Sequence, residues 1–290
     1  MFWMRLLAIL FLPGLLFSQT SSSQIELILN SRWNVQDAGI NQDGQYFILS
    51  RFAEGNKLFL WHPDIAAIDE VKWPGMEPQQ AFWTQSGNLI VAFEDQIFEV
   101  RQKKIIPLMT DRDIQAYDPK LNHTENLLLF RGKRPNQLEA GLFTFDFVYQ
   151  NLNQFEGTKG CRHASWSPSD ELIVCTKIEN NRQILKLFHW YAKSYADIQS
   201  DSLDFIQAIW SDSDYRLFAL ASGKKQSYII NIRKDGSKPE IVLQTKKSLH
   251  LLHYLSEQNK ILAIEETLDG HKQLITIDLT EHYPIYPIKP

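Results

Sequence analysis

Ala164-Ser165-Trp166-Ser167-Pro168-Ser169-Asp170-Glu171-Leu172-Ile173-Val174 decides the fold, because the chain repeats this pattern at regular intervals. Ala81-Phe82-Trp83-Thr84-Gln85-Ser86-Gly87-Asn88-Leu89-Ile90-Val91 and Ala208-Ile209-Trp210-Ser211-Asp212-Ser213-Asp214-Tyr215-Arg216-Leu217-Phe218 keep its offsets. Taking the central aromatic position as a slot, weaker copies centre on Ile40 and Tyr254. An irregular copy centres on Leu121, or on Tyr117 if an insertion intervenes. The slots Ile40, Trp83, Leu121, Trp166, Trp210 and Tyr254 are spaced by 43, 38, 45, 44 and 44 residues. A period of this size marks a repeat architecture.

Each copy reads as a hairpin: a strand entering the slot, a turn of Ser, Asp, Pro or Gly, then an apolar run such as Leu89 to Phe93 or Leu172 to Thr176. Further strands follow, among them Lys57 to Trp61, Gln96 to Val100, Leu142 to Phe147, Ile184 to His189, Ser227 to Ile232 and Gln273 to Asp278. Four strands per unit predict an all-β, six-bladed β-propeller of four-stranded antiparallel blades over residues 24–280. The last unit supplies only three strands, while Ile25-Glu26-Leu27-Ile28-Leu29 precedes the first and belongs to none. That N-terminal strand is predicted to complete the sixth blade, closing the ring and covering its final edge.

The stretch Trp166-Ser167-Pro168-Ser169-Asp170-Glu171-Leu172-Ile173-Val174 resembles the WD40-like (PD40) repeat of the TolB β-propeller family, roughly W-S-P-D-G-x-x-I/L-A. The resemblance covers about residues 24 to 280. Pro stands in its expected place once, Gly survives only as Gly44 and Gly87, and the third unit is distorted. TolB carries an additional N-terminal domain for which this sequence has no room, so a Tol–Pal role does not transfer with the fold. The resemblance implies a cell-envelope protein that docks partners over a propeller face or down its central channel.

Composition agrees with a folded globular protein: 290 residues, 44% hydrophobic and 22% charged. With 30 Lys+Arg against 34 Asp+Glu, the formal charge of -4 lacks the basic excess that phosphate binding needs, so no nucleic-acid partner is expected. Arg5 precedes the apolar run Leu6 to Leu12 and then Pro13-Gly14, the grammar of a signal peptide. The expected organisation is a signal peptide at 1–18, a polar linker at 19–23, the propeller at 24–280 and a Pro-rich tail at 281–290. A periplasmic monomer follows, with no membrane span after signal cleavage, or a membrane-anchored protein if the leader is retained.

In a propeller the first strand of each blade lines the channel. Three residues before the slots stand Asp37, Gln80, Asp118, His163, Gln207 and Leu251, with Arg162 and His250 beside them. Polar residues there can hold an ion, orient a ligand or simply solvate a wet channel. Loops between second and third strands share that face. They carry Arg131, Lys133, Arg134, Arg182, Lys224 and Lys225 on blades three to five, against Glu54, Asp95, Glu265, Glu266 and Asp269 on blades one, two and six. Such a two-signed face is suited to steering a protein partner.

Cys161 and Cys175 flank one hairpin and read either as a cross-strand disulfide or as two packed thiols. His250 and His253 are three apart, which on a regular strand points them to opposite faces and argues against a shared metal. Asn122-His123-Thr124 reads as a turn, and Trp61, Trp73 and Trp190 are the tryptophans outside the slot that are free to be exposed. The chain holds no G-x-S-x-G, H-E-x-x-H or EF-hand spacing, and neither cofactor nor metal is expected. The expected function is a non-catalytic interaction module with an envelope protein partner. The alternatives are a lyase- or lactonase-type enzyme around Asp37, Asp118 and His163, and a membrane-anchored sensor.

Overall fold

The computed structural model describes residues 7–10, 25–65, 67–72, 75–94, 96–101, 104–109, 113–190, 195–224 and 226–280. The polar linker, the C-terminal tail and most of the expected signal peptide lie outside them. Six sheets follow one another along the chain. Blade 1 is Val35–Ile40, Tyr46–Phe52, Gly55–His62 and Ala67–Val71. Blade 2 is Pro78–Trp83, Leu89–Phe93, Gln96–Arg101 and Lys104–Pro107. Blade 3 is Gln115–Leu121, Leu127–Lys133, Gly141–Asp146 and Asn151–Gln154. Blade 4 is Arg162–Trp166, Leu172–Glu179, Arg182–His189 and Tyr195–Ser200, with Leu7–Leu10 added in parallel along its outer edge. Blade 5 is Asp204–Trp210, Arg216–Ser222, Ser227–Arg233 and Glu240–Thr245.

Blade 6 closes the ring as the strand count requires. Ser248–Leu255, Lys260–Glu266 and Lys272–Asp278 are completed by Ile25–Leu29, which pairs antiparallel with Lys272–Asp278. The irregular third unit also resolves, since Leu121 sits opposite Leu128 just as Trp166 sits opposite Ile173 and Trp210 opposite Leu217. Leu121, not Tyr117, is its slot.

Apolar residues from both faces of each sheet pack between neighbouring blades. One cluster joins blades 1, 2 and 3 through Phe47, Phe82, Phe93, Phe130 and Phe143. Four others join blades 3 and 4, 4 and 5, 5 and 6, and 6 and 1, so the core is a continuous ring. The packing at Phe47 is tight enough to specify glycine: a Cβ at Gly39 would stand 2.6 Å from the Phe47 ring. Trp61 packs on Tyr46 at 5.2 Å and Trp190 on Trp166 at 5.9 Å, so neither is a free aromatic platform. Trp73 lies outside the described residues.

The hairpin turns add polar latches between blades. Four residues after the slot the backbone is left-handed at Gly44, Gly87, Glu125 and Asp170. Glycine adopts this without penalty, whereas another residue loses about 1–2 kcal/mol. Glu125 and Asp170 offset that strain by reaching the preceding blade. Glu125 Oε1 accepts from Ser86 N at 2.9 Å, and Asp170 accepts from His123 N at 2.7 Å and Thr124 N at 3.0 Å. Asp214, at the same repeat position, accepts from Ser169 N at 2.9 Å. The Asn122-His123-Thr124 stretch is therefore a latched turn, as its sequence suggested.

Deleting residues 25–29 should lower the melting temperature of the whole ring by about 10 °C or more, because it opens blade 6 and its junction with blade 1. Circular dichroism melts of the deletion and the parent check this; an unchanged midpoint would contradict the closure.

Candidate functional site

The inner strands of all six blades surround a central cavity of about 430 Å³. Every inner strand carries a register shift, between Val35 and Asp37, Pro78 and Gln80, Tyr117 and Lys120, Arg162 and Ser165, Phe205 and Gln207, and Leu251 and His253. A bulge bends and twists a strand and re-aims its side chains. Here the bulges fall at or beside the position three before the slot, which turns those side chains towards the next blade.

Three of the polar residues expected to line a wet channel thereby become stitches. Asp37 accepts from Ala81 N of blade 2 at 3.3 Å and from Ala38 N at 2.9 Å. Gln80 accepts from Asp118 N of blade 3 at 2.6 Å and donates to the Asp118 carboxylate. Gln207 holds Leu251 of blade 6 by both backbone groups, donating to its carbonyl at 2.5 Å and accepting from its N–H at 3.0 Å. A side chain that satisfies buried backbone groups in the next blade fixes the angle between blades as well as contributing about 1 kcal/mol per bond.

Blades 3, 4 and 6 depart from this rule. Asp118 and His163 take left-handed backbone, φ +52° and +51°, which non-glycine residues adopt at a cost. Asp118 turns to the Arg131 guanidinium at 3.0 Å, which itself covers the Tyr117 ring. His163 meets His250 across the channel, ring centroids 5.5 Å apart. His253 lines the same cavity, contrary to the expectation that it would face away from His250. The bulge between Leu251 and His253 cancels the alternation on which that expectation rested. Burial lowers the pKa of all three histidines, His250 to about 4 and His253 to about 3, and nearby Lys120 adds to each shift. Burial raises the Asp37 carboxyl to about 6, with Lys120 opposing. Among the described residues no three His, Cys, Asp or Glu side chains converge as a metal site.

The two-signed loop face needs correcting. Arg131 is engaged with Asp118 in the channel wall. Arg182 is a structural clamp, bound to Asp204 at 3.0 Å and donating to the carbonyls of Ser200, Asp201 and Leu203. Glu265 is buried and paired with Lys247 at 2.6 Å. What remains presented is Lys133, Arg134, Arg162 and Lys224 on one side and Glu54, Glu266 and Asp269 on the other. Lys225 and Asp95 lie outside the described residues. Cys161 and Cys175 stand as buried free thiols. Burial raises the Cys175 thiol, and its hydrogen bond to Cys161 adds to this.

No family model and no curated protein matches the sequence. Solved structures do match in fold. TolB from Acinetobacter baumannii aligns with a TM-score of 0.57 at 11% identity over 77% of this chain and 59% of that one. This chain thus spans about three-fifths of that protein. A putative TolB from Agrobacterium tumefaciens aligns with a TM-score of 0.59 at 10% identity over 83% of this chain and 88% of that one. An oligogalacturonate lyase in complex with manganese aligns with a TM-score of 0.63 at 9% identity over 88% and 90%. The chain has a TolB-like propeller fold, one shared by the TolB structures and by a lyase.

The histidine shifts make stability depend on pH. Each histidine titrates near 6.5 when unfolded and lower when folded, so the unfolded state binds more protons and acidification from pH 7 towards 5 weakens the fold. Asp37, raised to about 6, acts in the opposite sense and offsets part of this. The melting temperature should fall over that interval and His253→Asn should flatten the fall; a parallel profile in the variant would refute the assignment.

Proposed function

We propose that this propeller is an exported, non-catalytic interaction module that docks an envelope protein on its channel-mouth face, with the leader at 1–18 carrying it to the periplasm. The observation that carries the reading is the make-up of that face. Leu138, on the second-to-third-strand loop of blade 3, and Leu268, on that of blade 6, are fully exposed. In a six-membered ring these blades are opposite one another, so two apolar tips flank the channel. Arg134, Arg162 and Lys224 stand on the blade 3 to 5 side without a carboxylate partner among the described residues, facing Glu54, Glu266 and Asp269 on the other side.

Apolar contact points within a charged rim are the ordinary make-up of a protein-docking surface. Opposed charges fix the orientation of the partner and raise its association rate. The face is rigid because the channel stitches and the Arg182 clamp already order it, which lowers the entropic cost of association. Docking is favoured over turnover because Asp37 and Asp118, the carboxylates that an acid–base reading pairs with His163, are committed to backbone and arginine partners. The manganese-bound lyase of the same fold makes turnover at the channel mouth the second reading.

The test is capture of the partner by crosslinking in periplasmic extracts, comparing the parent with the triple variant Arg134→Glu, Arg162→Glu and Lys224→Glu. A discrete protein whose recovery falls about tenfold in the variant, equivalent to ~1.4 kcal/mol, is the expected result. Equal recovery from both proteins would contradict docking at this face.

A further inference from the structure

We infer that the channel wall formed by blades 3, 4 and 6 is a binding site for a small oxyanion ligand, a carboxylate or phosphate group, with Lys120 as its charge partner and His163 and His250 as hydrogen-bond donors. This goes beyond the docking reading and does not depend on it.

Lys120 lines the cavity with its ammonium 5.8 Å from the centre of the Phe82 ring, and no carboxylate among the described residues lies within ion-pair distance. Two acids of the same cavity have partners of their own, Asp118 in Arg131 and Gln80, and Asp37 in backbone N–H groups of blades 1 and 2. Lys120 is half-buried and bears on Asp37 through space without an ion pair, so its ammonium keeps an open contact for an anion. The surrounding polar groups are also open. The imidazoles of His163 and His250 contact each other edge to face with no hydrogen bond to either among the described residues, and Ser165 Oγ, beside the cavity, is buried without a partner. A neutral imidazole has one N–H to donate, and a serine hydroxyl has another.

The charges facing the two imidazoles come from every adjoining blade. Blade 3 supplies Asp118, Lys120 and Arg131, blade 4 supplies Arg162, and blade 6 supplies His253, Glu266 and Lys272. Blade 1 adds Asp37 and Arg51 to the cavity, while blades 2 and 5 present the uncharged Gln80 and Gln207. Four of these cations act on the histidines against the single carboxylate of Asp118. The cavity, about 430 Å³, has the size of small-molecule sites. The left-handed backbone of Asp118 and His163 is the strained feature of the wall, where a binding role accounts for tolerated strain.

An anion placed between Lys120 and the imidazoles favours their protonated form, so binding takes up protons and tightens as the pH falls. Isothermal titration of the purified protein with sulfate and with acetate, which keep their charge between about pH 7.5 and about pH 6, reads this directly at those two pH values, with glucose as the neutral control. The expected result is saturable one-to-one binding of at least one anion with a Kd below about 1 mM, tighter at the lower pH. Binding should be about tenfold weaker or lost in Lys120→Met. Sulfate alone would identify a tetrahedral oxyanion such as a phosphate group and acetate alone a carboxylate. Should Lys120→Met fail to fold, His250→Asn serves instead, with the pH dependence flattened. Absence of saturable heat with both anions, equal binding in Lys120→Met, or an unchanged pH dependence in His250→Asn would overturn the inference.

Discussion

The bulge in the innermost strand of each blade is the constraint from which the channel follows. Six strands that converge on one axis must each twist sharply, and the register shift supplies that twist. Because the shift falls beside a polar residue, it also decides what that residue does. Where the side chain is Asp37, Gln80 or Gln207 it reaches the next blade and becomes part of the ring. Where it is His163 it stays in the channel, and the ring is held at that junction by the turn latch of Asp214 instead.

The two sets of polar contacts are complementary around the ring. Channel-side stitches join blades 1 to 2, 2 to 3 and 5 to 6, while turn latches join 2 to 3, 3 to 4 and 4 to 5. The junction of blades 6 and 1 relies on other contacts. There the N-terminal strand, the apolar cluster of Ile48, Leu262 and Leu274, and the Lys272 to Gln36 hydrogen bond close the ring. This division leaves His163, His250 and Lys120 in the channel wall without a stitch or latch of their own.

The architecture was legible because aromatic slots and turns recur with the period of a blade, and strand counting alone placed Ile25–Leu29 in blade 6. The acidic residues four after the slot were equally visible, yet their inter-blade role was not, since a turn carboxylate reads first as solvation. The channel was misread at His253 because alternation assumes a regular strand and a bulge is silent in sequence. Arg131 and Arg182 look like their neighbours in a charge tally. Only the fold brings Asp118 and the carbonyls of Ser200 and Leu203 to them.

The most direct test of the account is site-specific photocrosslinking in cells, with the reactive residue placed at Leu138 or Leu268 on the channel-mouth face and at Tyr215 on the opposite face. All three are exposed, so reactivity reports what lies against each. The account predicts one discrete protein adduct from both leucine positions and none from Tyr215. An adduct from Tyr215 alone, or from no position, would contradict it.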